Sequence, residues 1–247
     1  MTIRPCIIIP VYNHHTFIEH TLEQIRIYDV PVFLVDDGSI AECATLLREL
    51  AESNPQTIHL LRLDRNQGKG AAVMEGMRFA AGKTFTHALQ IDADGQHNTK
   101  DIPQFLEQAK QNPDSVICGK PVYDSSVPKG RLYGRYLTHF WVWVETLSFD
   151  IKDSMCGFRV YPLAATLDLI NKNRIASRMD FDIEILVRLY WKGLKIITVE
   201  TPVIYPENGV SHFAMVKDNI RITKTHTRLV FAMLGKLPCL IKRKMTS

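Results

Sequence analysis

Two carboxylates, Asp92 and Asp94, stand one residue apart behind the apolar run His87-Ala88-Leu89-Gln90-Ile91. Acids so spaced at a strand end can reach one hard cation, and Mg2+ and Mn2+ favour carboxylate, water and phosphate oxygens. Alone, the same residues equally suit a turn, since Asp and Gly are common there. A second cluster, Asp36-Asp37-Gly38-Ser39, follows Val32-Phe33-Leu34-Val35. It reads either as a β-to-α turn with Ser39 as helix N-cap, or as a carboxylate for the ribose hydroxyls or base of a nucleotide. A third, Asn66-Gln67-Gly68-Lys69-Gly70, lacks the G-x-x-x-x-G-K-[ST] spacing of a phosphate loop. Lys69 could still bring a glycine-flanked helix start to a diphosphate. The nine histidines show no zinc spacing.

These clusters need elements to hold them. Short apolar runs at 7–9, 32–35, 57–63, 84–92 and 115–118 read as buried strands. Between them, 14–27, 41–50, 70–81 and 101–111 have helical spacing. The alternation predicts βαβ units and a parallel sheet buried on both faces. The polar clusters fall where strands end, which is where open α/β sheets bind ligands, so one shared crevice is expected. After Gly119 the alternation is less clean, with helices predicted at 132–148, 163–171, 181–191 and 213–234 and a strand at 195–199.

The chain has 247 residues, 46% hydrophobic and 23% charged, which fits one globular α/β domain and excludes a disordered chain. Five scattered cysteines without a C-x-x-C pair argue against a disulfide framework and for a reduced, cytoplasmic compartment. No run approaches the roughly 18 apolar residues of a membrane-spanning helix. Charge is asymmetric. Residues 211–247 hold eight Lys or Arg against Asp218 alone, while the first 210 are mildly acidic. The basic end suits anionic lipid or phosphate, and the acidic body argues against nucleic acid.

In order along the chain stand Ile8-Ile9-Pro10-Val11-Tyr12-Asn13, Val35-Asp36-Asp37-Gly38-Ser39, Asn66-Gln67-Gly68-Lys69-Gly70 and Asp92-Ala93-Asp94-Gly95-Gln96-His97. Together they resemble the motif series of family 2 glycosyltransferases. Asp153-Ser154-Met155-Cys156-Gly157-Phe158-Arg159 and Phe181-Asp182-Ile183-Glu184 resemble later segments of the dolichol-phosphate mannose synthase branch. The resemblance spans about residues 4 to 212. It implies a GT-A type α/β fold, a mostly parallel twisted sheet flanked by helices. A Rossmann-like nucleotide-sugar half (1–119) and an acceptor half (120–212) would form the catalytic domain, with a basic amphipathic helix and tail at 213–247.

It further implies an inverting hexosyltransferase with a UDP- or GDP-sugar donor and Mg2+ or Mn2+ as cofactor. Carried over by position, Pro10, Tyr12, Asn13, Asp36, Asp37 and Lys69 form the nucleotide-sugar pocket. Asp92 contacts the donor, and Asp94 with Gln96 binds the metal. The family usually has an acid after the Tyr-Asn pair, where this chain has His14. The branch's acceptor is a polyprenyl phosphate gripped by basic residues. Lys120, Arg131 and Arg135 occupy corresponding places, and Arg159 and His212 join the acceptor set. A sugar or lipid hydroxyl acceptor would instead need a carboxylate base. Asp180, Asp182 and Glu184 are candidates for it, and the last two, being two apart on a helix, must face different ways. A nucleotidyltransferase is a second alternative, although Pro10-Val11-Tyr12-Asn13-His14 is not its glycine-rich basic loop. A lipid-linked acceptor would place the protein peripherally on the inner face of the membrane. The aromatic stretch 132–149 and the basic tail would provide contact.

Overall fold

The computed structural model describes residues 2–123, 129–203 and 214–246. Its strands are β1 (Pro5–Val11), β2 (Val32–Asp36), β3 (Ile58–Arg62), β4 (His87–Gln90), β5 (Val116–Val122), β6 (Arg159–Pro162) and β7 (Ile196–Pro202). Its helices are α1 (His15–Ile25), α2 (Ala41–Ser53), α3 (Lys69–Gly82), α4 (Ile102–Gln111), α5 (Lys129–Thr146), α6 (Leu163–Lys172), α7 (Phe181–Trp191), α8 (Met215–Leu234) and α9 (Leu237–Thr246). The strands make one sheet in the order β3-β2-β1-β4-β6-β5-β7.

The apolar runs are continuous because helices cover both faces. Every residue of β2 is buried. Side chains alternate along a strand, so Ile8, Phe33 and Val35 meet Ala72 and Met77 of α3 on one face. Ile7, Ile9 and Leu34 meet Ile18 and Leu22 of α1, Leu47 of α2 and Phe105 of α4 on the other. Ile222, Leu229 and Met233 of α8 and Leu240 of α9 belong to the first of these cores.

Two differences from the sequence reading bear on the site. Only β6 runs antiparallel to its neighbours, β4 and β5, among the paired strands described. Its four residues open on Arg159 and end on Pro162, which gives no apolar run to read. Its insertion sets Gly157 and Phe158 beside the end of β4. The strand expected over 84–92 is β4, only His87–Gln90. Ile91 N still donates to Ile8 O at 3.1 Å, and the chain then turns out into Asp92.

Candidate active site

The carboxyl ends of β1, β2 and β4 open on one side of the sheet, with the start of α7 facing them. Lys69, the first residue of α3, lies between two acids. Its Nζ is 2.8 Å from Asp182 Oδ2 on α7 and 2.8 Å from Asp92 Oδ1 past β4. Gln90 Nε2 donates to the other Asp182 oxygen at 3.2 Å. Burial alone would raise the Asp92 pKa, but the adjacent ammonium and His97 outweigh it and hold the carboxyl well below its usual range. Burial would likewise lower the Lys69 pKa, and the two carboxylates more than reverse that. Gly157 closes over the cluster. A Cβ there would lie 2.6 Å from Asp92 Oδ2 and 2.7 Å from Lys69 Nζ.

The Asp36-Asp37 pair braces the crevice wall. Asp36 is fully buried and accepts from Arg62 Nη1 and, at 2.8 Å, from Ser39 N. Asp37, 2% exposed, accepts from Gln67 N at 2.7 Å and from Gly68 N and Asn66 Nδ2. Burial raises its pKa, and those two backbone donors oppose the rise. Asn13, at φ 55°, donates its N–H to Ser39 Oγ and accepts from Ile40 N. These three polar groups, expected to face a nucleotide, are turned into the turns that carry them. The helix start expected to face a diphosphate is also covered. Ser177 O accepts from Ala71 N at 2.9 Å, and Gly68 sits at φ +104° with its Cβ direction against Arg178. Pro10 and Tyr12 remain half-buried at the end of β1.

Asp94 and Gln96 are half-exposed on the turn beyond Asp92, with Gln96 N donating to Asp94 Oδ1 at 3.1 Å. His97 lies behind them, its Nε2 3.5 Å from Asp92 Oδ2 and its ring against Phe158. Among the described residues no group of three or more His, Cys, Asp or Glu gathers to hold a cation. One carboxylate and one amide oxygen on an open turn fit a Mg2+- or Mn2+-sized ion that takes its other oxygens from phosphate and water.

The acceptor-side residues divide. Arg135 Nε and Nη2 grip Asp153 at 2.5 and 2.9 Å. Burial would raise the Asp153 pKa, but Arg135 and His139 hold it below the carboxylate range. Lys120 pairs with Glu200 of β7 at 2.8 Å. Arg159 is fully buried, with Nη1 donating to Asp182 O at 2.6 Å. It cannot touch an acceptor and instead braces the cluster from beneath. Glu184 is also fully buried and turned away from Lys69. It binds Arg188, Arg228 and Ala176 N, so it cannot serve as the base. Asp180 accepts from Thr225 Oγ1 at 2.7 Å. The side chain of Arg131 and all of His212 lie outside the described residues.

Sequence reading missed Arg62 and Arg178. Arg178 Nη1 donates to Asn66 Oδ1 at 2.8 Å, joining the α7 approach to the Asp37 loop. No motif spacing marks it. Only the close packing at Gly68 would have pointed there.

Residues 6–166 match the family described as "Glycosyl transferase family 2". A dolichyl-phosphate beta-glucosyltransferase of Dictyostelium discoideum is 27% identical over 92% of this chain and 74% of its own length. A polyprenol monophosphomannose synthase of Mycolicibacterium smegmatis is 26% identical over 89% of this chain and 84% of its own. Glucosyl-3-phosphoglycerate synthase of Mycobacterium tuberculosis, solved with Mn2+, UDP and phosphoglyceric acid, superposes with a TM-score of 0.67. It covers 94% of this chain and 78% of that one at 13% identity, a likeness of fold alone. The architecture is thus GT-A, and the nucleotidyltransferase alternative falls away. The acid pair at the end of β4, the Asp36-Asp37 turn at the end of β2 and the matched 6–166 segment together make this chain a member of glycosyl transferase family 2, a glycosyltransferase.

Proposed function

We propose that the protein transfers a sugar from a nucleotide-diphosphate donor, a UDP- or GDP-sugar, to a polyprenyl phosphate at a membrane surface, with inversion and with Mg2+ or Mn2+. One observation carries the acceptor assignment. Each of the three carboxylates that could serve as base is already committed: Asp180 to Thr225, Asp182 to Lys69 and Gln90, and Glu184 to two arginines. A phosphomonoester needs no base, because its second pKa is about 6 and it is already a nucleophile at neutral pH. The names of the two relatives support the same acceptor class.

In this reading an acceptor phosphate oxygen forms a bond to the anomeric carbon as the bond to the diphosphate breaks on the opposite face. The transition state is oxocarbenium-like, and charge builds on the departing nucleoside diphosphate. The metal, held by Asp94 and Gln96, would stabilise that charge. Asp92 orients the donor sugar, and Arg135 offers its guanidinium edge to the acceptor phosphate while Asp153 fixes its plane.

Surface character supports the membrane part. Among the described residues no helix is long and apolar enough to cross a bilayer. Yet α5, α8 and α9 and the turn after α5 expose Tyr133, Tyr136, Phe149, Phe231 and Ile241. A groove of about 450 Å³ between α5 and α9 is walled by Phe140, Trp143, Phe149, Leu240 and Ile241. Aromatic side chains beside lysines suit the bilayer interface.

The test is transfer from UDP- and GDP-sugars to a polyprenyl phosphate in detergent, run beside the same assay with the unphosphorylated polyprenol. Only the phosphate should accept sugar, because the alcohol would need a general base, whose contribution is about 10²–10⁴-fold. Transfer to the polyprenol at a comparable rate would favour a hydroxyl acceptor.

A further inference from the structure

Lys69 opens α3, Asp92 follows β4 and Asp182 lies in the first turn of α7, so the Lys69 ammonium joins three elements remote in sequence. Its two carboxylate contacts are both 2.8 Å, and its side chain is 14% exposed. Gly157 caps it so closely that a Cβ would fall 2.7 Å from Nζ. Asp182 is the fixed post of the arrangement. Gln90 holds its second oxygen, Arg159 holds its backbone carbonyl, and its side chain is 4% exposed. Asp92, at 23%, is the more open partner. It begins the turn that carries Asp94 and Gln96.

An ammonium engaged on two sides and roofed by backbone has little left to offer a diphosphate. We propose that Lys69 is a positioning residue that ties Asp92, on the donor side, to Asp182 on the acceptor-side helix α7, and is not a ligand of the donor diphosphate. The inference rests on the glycosyl-transfer reading above, because what it positions is the donor-contacting Asp92. It also accounts for Gly157, which leaves room for the pair. A side chain there would push the carboxylate and ammonium apart.

The experiment uses the full chain with Lys69→Met, the doubly neutral Lys69→Met/Asp182→Asn, and Gly157→Ala. UDP and GDP binding is measured by calorimetry, turnover by transfer, and folding by thermal melts. Lys69→Met alone strands the buried Asp182 and should melt earliest. The double variant removes that stranded charge and should recover much of the loss, a non-additivity that a lysine acting on ligand alone would not produce. In the double variant and in Gly157→Ala, affinity for whichever nucleotide the wild type binds should stay within threefold, while kcat falls at least 100-fold. A tenfold or greater loss of nucleotide affinity in the double variant would make Lys69 a phosphate ligand and overturn the proposal. Wild-type kcat in either variant would overturn it as well. Should the wild type itself bind neither nucleotide nor transfer sugar, the proposed function fails, which is a distinct outcome.

Discussion

At the scale of single residues, charge placement decides the roles. Asp94 sits half-exposed on a turn and not in a core, so Asp94→Asn should abolish transfer while leaving the melting temperature nearly unchanged. EDTA on the wild type should do the same, and full activity in either case would remove the metal from the mechanism. Arg135 is different, because it faces a buried acid whose side chain is only 4% exposed. Removing one partner of a buried pair leaves the other uncompensated, so Arg135→Met should cost about 3 kcal/mol. For a chain of this size that lowers the melting temperature by about 9 °C. The pH dependence follows from the Asp153 shift. Its folded pKa is depressed, so the pair's stability is fully present above the unfolded carboxyl value of about 3.9 and is lost as pH falls towards the folded one. The gap between wild type and variant should therefore be full at neutral pH and close in acid. A gap that is flat with pH would show that packing, not charge, holds Arg135 in place.

At the scale of elements, the C-terminal helices carry two burdens at once. Arg243 of α9 donates to Tyr190 O at 2.6 Å and Leu194 O at 2.9 Å, capping the end of α7, and lies 3.9 Å over the Tyr190 ring. Deleting this helix would disturb the catalytic fold along with any membrane contact, so truncation is a poor probe of binding. Point changes on exposed side chains separate the two. Phe149 and Phe231 are 67% and 71% exposed, and replacing both with Ser should leave the melt unchanged. Flotation with anionic liposomes should then fall at least fivefold. Each basic residue near an anionic surface adds about 1 kcal/mol, and salt screens it, so wild-type flotation should also weaken at high salt. Wild-type flotation by the double variant would move the contact elsewhere.

At the scale of the whole molecule, the crevice joins segments far apart in the chain. Strand β6 inserts between β4 and β5, and α7 brings Asp182 to Lys69, more than a hundred positions earlier. A ligand held there should stabilise the entire fold. At about 100 times its Kd, a nucleotide diphosphate adds roughly 2.7 kcal/mol, or about 8 °C in melting temperature. Screening UDP and GDP with Mn2+ should therefore reveal the donor base as the one that shifts the melt. Equal shifts from both would mean that the base is not discriminated.

What the sequence determined by itself was the series of buried strands and the loops at their ends. Runs such as Val32-Phe33-Leu34-Val35 are legible because a strand covered on both faces must be apolar throughout, and Asp-Gly pairs announce where it stops. The motif order through Asp92-Ala93-Asp94-Gly95-Gln96 was enough to point to the family. Only the tertiary structure decided which polar groups face the crevice. Asp36, Asn13, Arg159 and Glu184 have the residue types of a site, yet each is spent on a turn, a backbone carbonyl or a neighbouring ion pair. Spacing along a chain reports which face of an element a side chain takes, whereas its partner arrives from a distant segment. For that reason the Lys69 bridge between Asp92 and Asp182, and the short antiparallel β6 that makes room for it, appear only once the chain is folded.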